Sequence, residues 1–572
     1  MSNFNEPASK MDADMEKNAM TQEYTLNDFD DMKNEIHEAE PGHELHRDLK
    51  ARHITMIAIG GALGTGLIIG SGSALATAGP AAIFIAYAFV GLIVYMVMCA
   101  LGEMATWIPL ADGFSGYASR FCDPALGFAV GWTYFFKYII VTPNQLTAGA
   151  LVIQYWISRD KVNPGVWITV IFIIILFVNL FGVKFFGEFE FWLSSFKVIT
   201  VIGLIILTLI IALGGGPDHD RRGFRYWKDP GAFKEYTKNG HTITGSEGKF
   251  VSWAAVLVTA VFAYLGTELV GVTVGEAQNP RRNIPRAIKL TFYRIMIFYV
   301  VSVFFLGMCV AYNDNKLVFA TKASTSASAS PFVVAIENAG IKVLPQIINA
   351  AILLFIFSAS NSDLYIATRT LYGLSVNGKA PKFFSRTNRM GVPYFALGFS
   401  SLFCGLAYLN CSANSAKVFN YFVNVVSILG LLTWICILVT HIYFMRALKA
   451  QGIDRNTLVY KAPFQPYGSY ISLGFCCLIA LIKNFTAFVF EFDKTNFITG
   501  YIGIPVFLAL LFGYKFIMKT KSFKPEEVDL HSFKDIIDRE EELFLQNQAR
   551  ERELHPPSKL GKIYENSIGL LF

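Results

Sequence analysis

Twelve long apolar stretches alternate with polar connections along the chain, at about 54–78, 81–101, 125–155, 165–182, 190–213, 251–274, 289–312, 343–373, 394–409, 417–445, 468–489 and 497–518. An α-helix crosses the hydrocarbon core of a bilayer with about 20 apolar residues, so the pattern predicts an all-α polytopic membrane protein with twelve transmembrane helices. The stretches near 125–155, 343–373 and 417–445 are longer than that and are expected to tilt or protrude. Between the seventh and eighth stretches a Ser/Thr-rich segment, Thr321 to Ser330, leads into Pro331–Ala339, which reads as a short outer helix.

The first stretch contains Gly60-Gly61-Ala62-Leu63-Gly64-Thr65-Gly66. Each glycine costs a helix roughly 1 kcal/mol relative to alanine. In lipid the freed backbone groups have no water to bond, so irregular backbone survives only where it lines a cavity or binds something. The run therefore reads either as a broken helix whose amides face a ligand, or as a close helix crossing built on small residues. In the first case the helix that restarts near Gly66 presents its positive end, which suits a carboxylate. The sequence argues against a phosphate-binding loop, because no strand precedes the run and Gly64-Thr65-Gly66 continues into Leu-Ile-Ile-Gly with no Lys-Ser/Thr. The sixth stretch has a matching interruption, Ala263-Tyr264-Leu265-Gly266-Thr267-Glu268. Two broken helices in corresponding positions of two five-helix halves point to a central binding site.

Composition supports this picture. Of 572 residues 53% are hydrophobic and 16% charged, with a mean hydropathy of +0.43, against about 25% charged in soluble domains. The net charge of +6 is scattered over loops and gives no nucleic-acid surface. The eight cysteines lack metal-ligand spacing, and six (Cys99, Cys309, Cys404, Cys436, Cys476, Cys477) fall in apolar stretches as packing residues. The first 44 residues hold twelve acids and three lysines and read as a disordered tail without a signal peptide. Basic residues set the orientation. With the N-terminus inside, the cytoplasmic loops carry Arg281, Arg282, Arg286 and Lys289, then Lys379, Lys382, Arg386 and Arg389, then Arg446, Lys449, Arg455 and Lys461. Both termini are then cytoplasmic. The exception is the loop 214–249, with seven Lys/Arg and five Asp/Glu on the outer side. The expected division is a tail at 1–45, a transporter domain at 46–520 and a cytoplasmic tail at 521–572. Within the domain, repeat one covers about 54–213, repeat two about 251–445 and peripheral helices about 468–518.

The Gly60–Gly66 run, Gly266-Thr267-Glu268, Glu276 with Asn279-Pro280-Arg281, Asn361-Ser362 with Arg369, and Trp434 with His441 resemble the fungal amino-acid permeases of the amino acid–polyamine–organocation superfamily. The resemblance runs from about His46 to Glu553. It implies ten helices in two inverted five-helix repeats plus two peripheral helices, in the plasma membrane. It is nearest to the dicarboxylic branch, which imports glutamate and aspartate with protons. Two departures bear on specificity. Where most members carry Pro-Leu-Glu-Leu, this chain has Pro143-Asn144-Gln145-Leu146, and Lys137 stands where a neutral residue is usual. A glutamate at 145 would repel a dicarboxylate by several kcal/mol at an effective dielectric near 20, about the value for a pair of charges near 4 Å. Gln145 removes that repulsion and still donates hydrogen bonds. Lys137, about 12 Å along the helix from Gln145, reads as reaching cytoplasmic water.

A charge at the bilayer centre costs about 2.5–3.5 kcal/mol on insertion scales, which makes each a functional hypothesis. The resemblance gives Lys197 a proton-carrying role in place of a sodium ion, in rivalry with snorkelling. Glu268 is expected to hold the unwound segment or join proton coupling. Asp363 has no assigned role beyond a pairing with Arg369 or another helix, and Tyr264 and Tyr365 are candidate gates. The expected mechanism is proton-coupled symport of acidic amino acids by alternating access, with the proton as coupling ion and no cofactor. The α-carboxylate would bind near Gly61, Gly64, Thr65 and Gly66, and the ammonium at carbonyls around Gly60, Tyr264 and Gly266. The side-chain carboxylate would lie near Gln145. Rivals are an exchanger on the same fold and a non-transporting receptor. The lack of a selectivity filter or ring of charges argues against a channel, and the lack of a nucleophile–base pair or metal cluster at a readable spacing argues against an enzyme. Lys10, Lys17 and Lys33 are candidate acceptors for ubiquitin and the endocytic machinery.

Overall fold

The computed structural model describes Met56 and residues 63–554, apart from 111, 182, 273–279, 323–329, 413–414 and 533. Gly60 and Gly61, the acidic tail with its lysines, and Glu276–Asn279 lie outside the described residues. In chain order the helices are α1 (Gly66–Ala78), α2 (Pro80–Trp107), α3 (Gly113–Phe121), α4 (Pro124–Ile153), α5 (Pro164–Asn179), α6 (Val183–Ala212), α7 (Gly245–Tyr264), α8 (Leu269–Val272), α9 (Arg281–Cys309), α10 (Asn315–Lys322), α11 (Pro331–Asn338), α12 (Leu344–Val376), α13 (Tyr394–Cys411), α14 (Ser415–Ala450), α15 (Tyr467–Ile482), α16 (Lys494–Met518) and α17 (Lys534–Leu554). Among the described residues ten helical segments are long and apolar enough to cross a membrane, α7 and α8 together forming one, and α1 and α5 are shorter apolar helices.

Local chemistry starts and stops these helices. Proline stands in the first or second position of α2, α4, α5, α11 and α12, where its missing N–H costs nothing. Asp123 caps α4 by accepting from Ala125 N at 2.8 Å, and Asn163 caps α5 through Gly165 N at 2.9 Å. Pro143 lies inside α4, where it removes one backbone bond just before Gln145. The interruption expected at 263–268 is present. Tyr264 ends α7, Leu265 is extended at φ −61°, ψ 142°, and Gly266 takes φ +93° before α8 begins at Leu269. Only glycine adopts that φ readily. On the other side, Leu63–Thr65 leads into a wide π-type turn over Gly66–Gly70.

The helix α4 is central: α3, α12, α14 and α16 all pack on it. A continuous core runs through the bundle from Leu63 to Leu530, with exposed apolar residues such as Trp192, Ile199 and Phe516 on the outside. Burying a charge here requires partners. Glu103 of α2, fully buried, accepts from His441 Nε2 at 2.8 Å, from Ala462 N at 2.7 Å and from Arg455. His441 Nδ1 is 2.9 Å from Ser469 Oγ, so the cluster ties α2, α14 and α15 together.

Two expectations change on contact with the fold. The fifth span begins at Val183 or Phe185 rather than 190. Glu188 and Glu190 broke the apolar window there, but Glu190 is fully buried against other helices. The basic loop 214–249 contains a two-stranded hairpin, Thr237–Lys238 with His241–Thr242, and several of its cations have internal partners. Arg222 pairs with Asp218 at 2.7 Å, Arg225 with Asp220 at 2.7 Å, and Lys234 donates to Ala76 O at 2.6 Å. Residues beyond 520 pack on the bundle. Phe523 N donates to Cys122 O at 2.9 Å, Trp107 Nε1 to Leu530 O at 3.0 Å, and Arg281 pairs with Asp538 and Glu541.

Candidate functional site

Between the two irregular segments lies a small cavity of about 30 Å³. In the state described it has room for a water or two rather than for an amino acid. Gly64, Thr65 and Gly66 form one wall, and Phe262, Ala263, Leu265 and Gly266 the opposite one. α4 contributes Lys137, Tyr138, Val141 and Gln145, and α12 contributes Ala359 and Asp363. The walls meet at Gly66: a Cβ there would stand 2.4 Å from Ala263 Cα. The Tyr87 hydroxyl donates to Gly66 O at 3.3 Å from outside the cavity.

The cavity mixes charge with unpartnered polar atoms. Thr65 Oγ1 and Gln145 Oε1 are buried and have no hydrogen-bond partner among the described residues. Gln145 Nε2 donates to Asp363 Oδ2 at 3.3 Å. The Lys137 ammonium bonds the Glu268 carboxylate, and both side chains are 1% exposed. It also lies over the rings of Tyr138 and Tyr134, at 4.6 and 5.0 Å. The other Glu268 oxygen accepts from Gly266 N at 3.2 Å and Trp434 Nε1 at 3.3 Å, so this carboxylate fastens the break to α4 and α14. A second buried pair lies near the first. Lys197 Nζ is 3.6 Å from Glu190 Oε1, which also accepts from Ser358 Oγ at 2.7 Å and Ser194 Oγ at 3.1 Å. Asp363 is within electrostatic reach of both Lys137 and Lys197.

The cavity wall thus contains Gly64, Thr65, Gly66, Gln145 and Gly266. Tyr264 is placed differently: its ring turns away from the cavity and stacks on Tyr299 at 4.4 Å, with its hydroxyl donating to Tyr87 O at 2.8 Å. Its carbonyl accepts from Thr267 Oγ1 at 2.7 Å. A gating role for its side chain does not fit this packing, and neither does an open carbonyl for an ammonium. Tyr365 stacks on Phe186 at 3.9 Å and under the Arg369 guanidinium at 5.2 Å. The direct hydrogen bond of Asp363 is to Gln145. Lys137 does not reach water. Its burial and its pairing with Glu268 were missed, although a lone lysine in an apolar stretch is itself a signal. Glu190 was missed too, and its clue was spacing: seven residues before Lys197, it falls on the same helix face.

A bundle of apolar helices with a charged, partly unpartnered cavity between two broken segments defines a membrane carrier rather than a soluble binding domain. The chain belongs to the amino acid permease family, whose model matches residues 53–525. It is a multi-pass membrane protein, a transporter rather than an enzyme, and handles small amino-acid substrates within lipid. It is 61% identical over 531 residues to the dicarboxylic amino acid permease of Saccharomyces cerevisiae, covering 92% of this chain and 87% of that one. It is 44% identical over 493 residues to the basic amino-acid permease of the same organism, covering 86% and 84%. Among solved structures it is similar to a nucleobase-cation-symport-1 family transporter in a closed conformation, with a TM-score of 0.44 and 14% identity over 86% of this chain and 96% of that one.

Proposed function

We propose that this chain is a proton-coupled symporter that imports the acidic amino acids glutamate and aspartate across the plasma membrane, with both termini cytoplasmic. The observation that carries the reading is the α4 wall of the cavity, where the Lys137 cation and the Gln145 amide stand together. A dicarboxylate brings one more negative charge than a neutral amino acid, and a buried cation compensates it. The α-carboxylate would lie at the irregular backbone of Gly64–Gly66, at the start of α1. The ammonium would lie at the last turn of α7, near Phe262 and Ala263, whose dipole end is negative, and against Asp363. The reading includes twelve spans in two inverted five-helix repeats with two peripheral helices, and alternating access around this cavity. It also includes proton exchange at Lys197 or Glu268. The dicarboxylic permease relative supports the substrate class.

The test is initial-rate uptake of a panel of radiolabelled amino acids, with and without an imposed proton gradient. Concentrative, gradient-dependent uptake of glutamate and aspartate is expected. Uptake restricted to neutral or basic amino acids would overturn the substrate class, and counterflow without net accumulation would overturn the coupling.

A further inference from the structure

Glu268 has a second cation in its electrostatic surroundings that the site does not use. Arg294 of α9 is 2% exposed, and all three of its guanidinium nitrogens lack a hydrogen-bond partner among the described residues. An arginine cannot shed its proton to escape this position. An unpaired buried charge costs several kcal/mol, so the state described here stores an unfavourable term that another state can release. Besides its burial, the groups it feels electrostatically are Tyr299, Tyr264 and, last, the Glu268 carboxylate. The two tyrosines are stacked on each other, and the Tyr264 hydroxyl is engaged with Tyr87 O, which leaves Glu268 as the anion among them. Arg294 also stands immediately before a wide π-type stretch, Ile295–Val301, a distortion that is frequent at functional positions.

A change of partner at Glu268 gives up its bonds from Gly266 N and Trp434 Nε1 as well as the one to Lys137. Glu268 sits at the end of a non-helical segment whose Gly266 takes a positive φ, and no continuous helix fixes its direction. Lys137 lines the cavity, whereas Glu268 does not. A carboxylate entering the cavity therefore meets the lysine on its open side and competes with Glu268 for it.

We propose that the Glu268 carboxylate exchanges partners, leaving Lys137 for Arg294 when the side-chain carboxylate of an acidic substrate takes its place on Lys137. Lys137 is then the substrate's cation, and Arg294 is a positioning residue that receives the displaced glutamate. The exchange keeps every buried charge paired in the loaded state. The inference rests on the acidic-substrate reading.

The test is glutamate and glutamine uptake, normalised to protein at the cell surface, for the intact chain, Arg294→Met, Glu268→Gln and the double variant. Without Arg294 the displaced glutamate has nowhere to go, so Arg294→Met raises the Km for glutamate about tenfold or more, the scale of one charge-assisted bond. The Km for glutamine stays within about twofold. Glu268→Gln leaves Lys137 uncontested and lowers the Km for glutamate, with slower turnover because release lacks a competitor. In that background Arg294→Met no longer moves the Km, since the arginine acts through Glu268. An equal Km shift in both backgrounds, an equal effect on glutamate and glutamine, or no shift overturns the inference. So does an unchanged Km in Glu268→Gln, a result that does not depend on Arg294→Met reaching the membrane. Absence of glutamate uptake by the intact chain removes the acidic-substrate reading and this inference with it. The other negative outcomes remove the inference alone.

Discussion

The amide of Gln145 donates to the carboxylate of Asp363 across 3.3 Å, from α4 to α12, on the wall of the central cavity. A glutamate at 145 would set two carboxylates against each other at that separation. It would also add a negative charge where an acidic substrate needs none. Gln145→Glu is expected to depress glutamate uptake more than glutamine uptake, by about tenfold or more in the ratio of the two. Parallel losses for both substrates would dissolve the link between this residue and specificity.

Lys197 and Glu190 are buried on one face of α6, with Ser358 and Ser194 completing the carboxylate's bonds. Lys197→Met is expected to abolish proton-driven accumulation in energised vesicles while some counterflow persists. It also leaves Glu190 unpaired, a cost of about 3–5 kcal/mol. The double variant with Glu190→Gln is therefore expected to recover protein level without recovering accumulation. Normal accumulation in either variant would dismiss Lys197 as the proton carrier.

A methyl group at Gly66 would be 2.4 Å from Ala263 Cα and 2.8 Å from Ala263 N, both backbone atoms that cannot rotate aside. Gly66→Ala is expected to eliminate uptake of every substrate and to lower thermal stability in detergent. Gly203, inside α6, has nothing within 4 Å of the same added atom. Gly203→Ala is the control, expected to stabilise by about 0.5–1 kcal/mol with uptake unchanged.

The segment after α16 is tied down at Asp123, which accepts from Lys515 at 2.7 Å, Ser522 at 2.9 Å and Thr520 at 3.0 Å. Burial by itself pushes this carboxyl up. The Lys515 ammonium, the Ala125 N–H and the two hydroxyls outweigh it and hold the group below the usual aspartate range. A depressed folded-state value means the contribution is complete above about pH 4, the unfolded value, and fades as pH falls through the lower folded one. Protease protection of residues 519–530 is expected to be constant from about pH 5 to 7 and to drop only below about pH 4. Asp123→Asn is expected to weaken that protection at neutral pH. Unchanged protection in this variant, or loss of protection already at pH 5–6, would count against the anchor.

Much of the helix layout was legible from apolar run length, because the bilayer demands one property of every spanning segment. The break at Gly266 was legible for the same reason: a glycine followed by Thr267 and Glu268 puts a helix breaker and a charge at bilayer depth, where both are costly. Contacts between distant parts of the chain were not. Lys137 and Glu268 are 131 positions apart, and only the packing of α4 against the break brings them together. Read alone, a lysine a few turns into a helix can equally well bend back to the surface. Tyr264 lies off the cavity for a related reason. Its partners Tyr87 and Tyr299 belong to two other helices, and their rings draw it out of the cavity. Glu190 fell outside an apolar window that its own charge cut short.

Gly66 and Ala263 meet with only hydrogen between their main chains. Such a junction has no slack: α1 cannot tilt toward α7 without pushing it aside. A covalent tether across the junction would then make the two helices travel together.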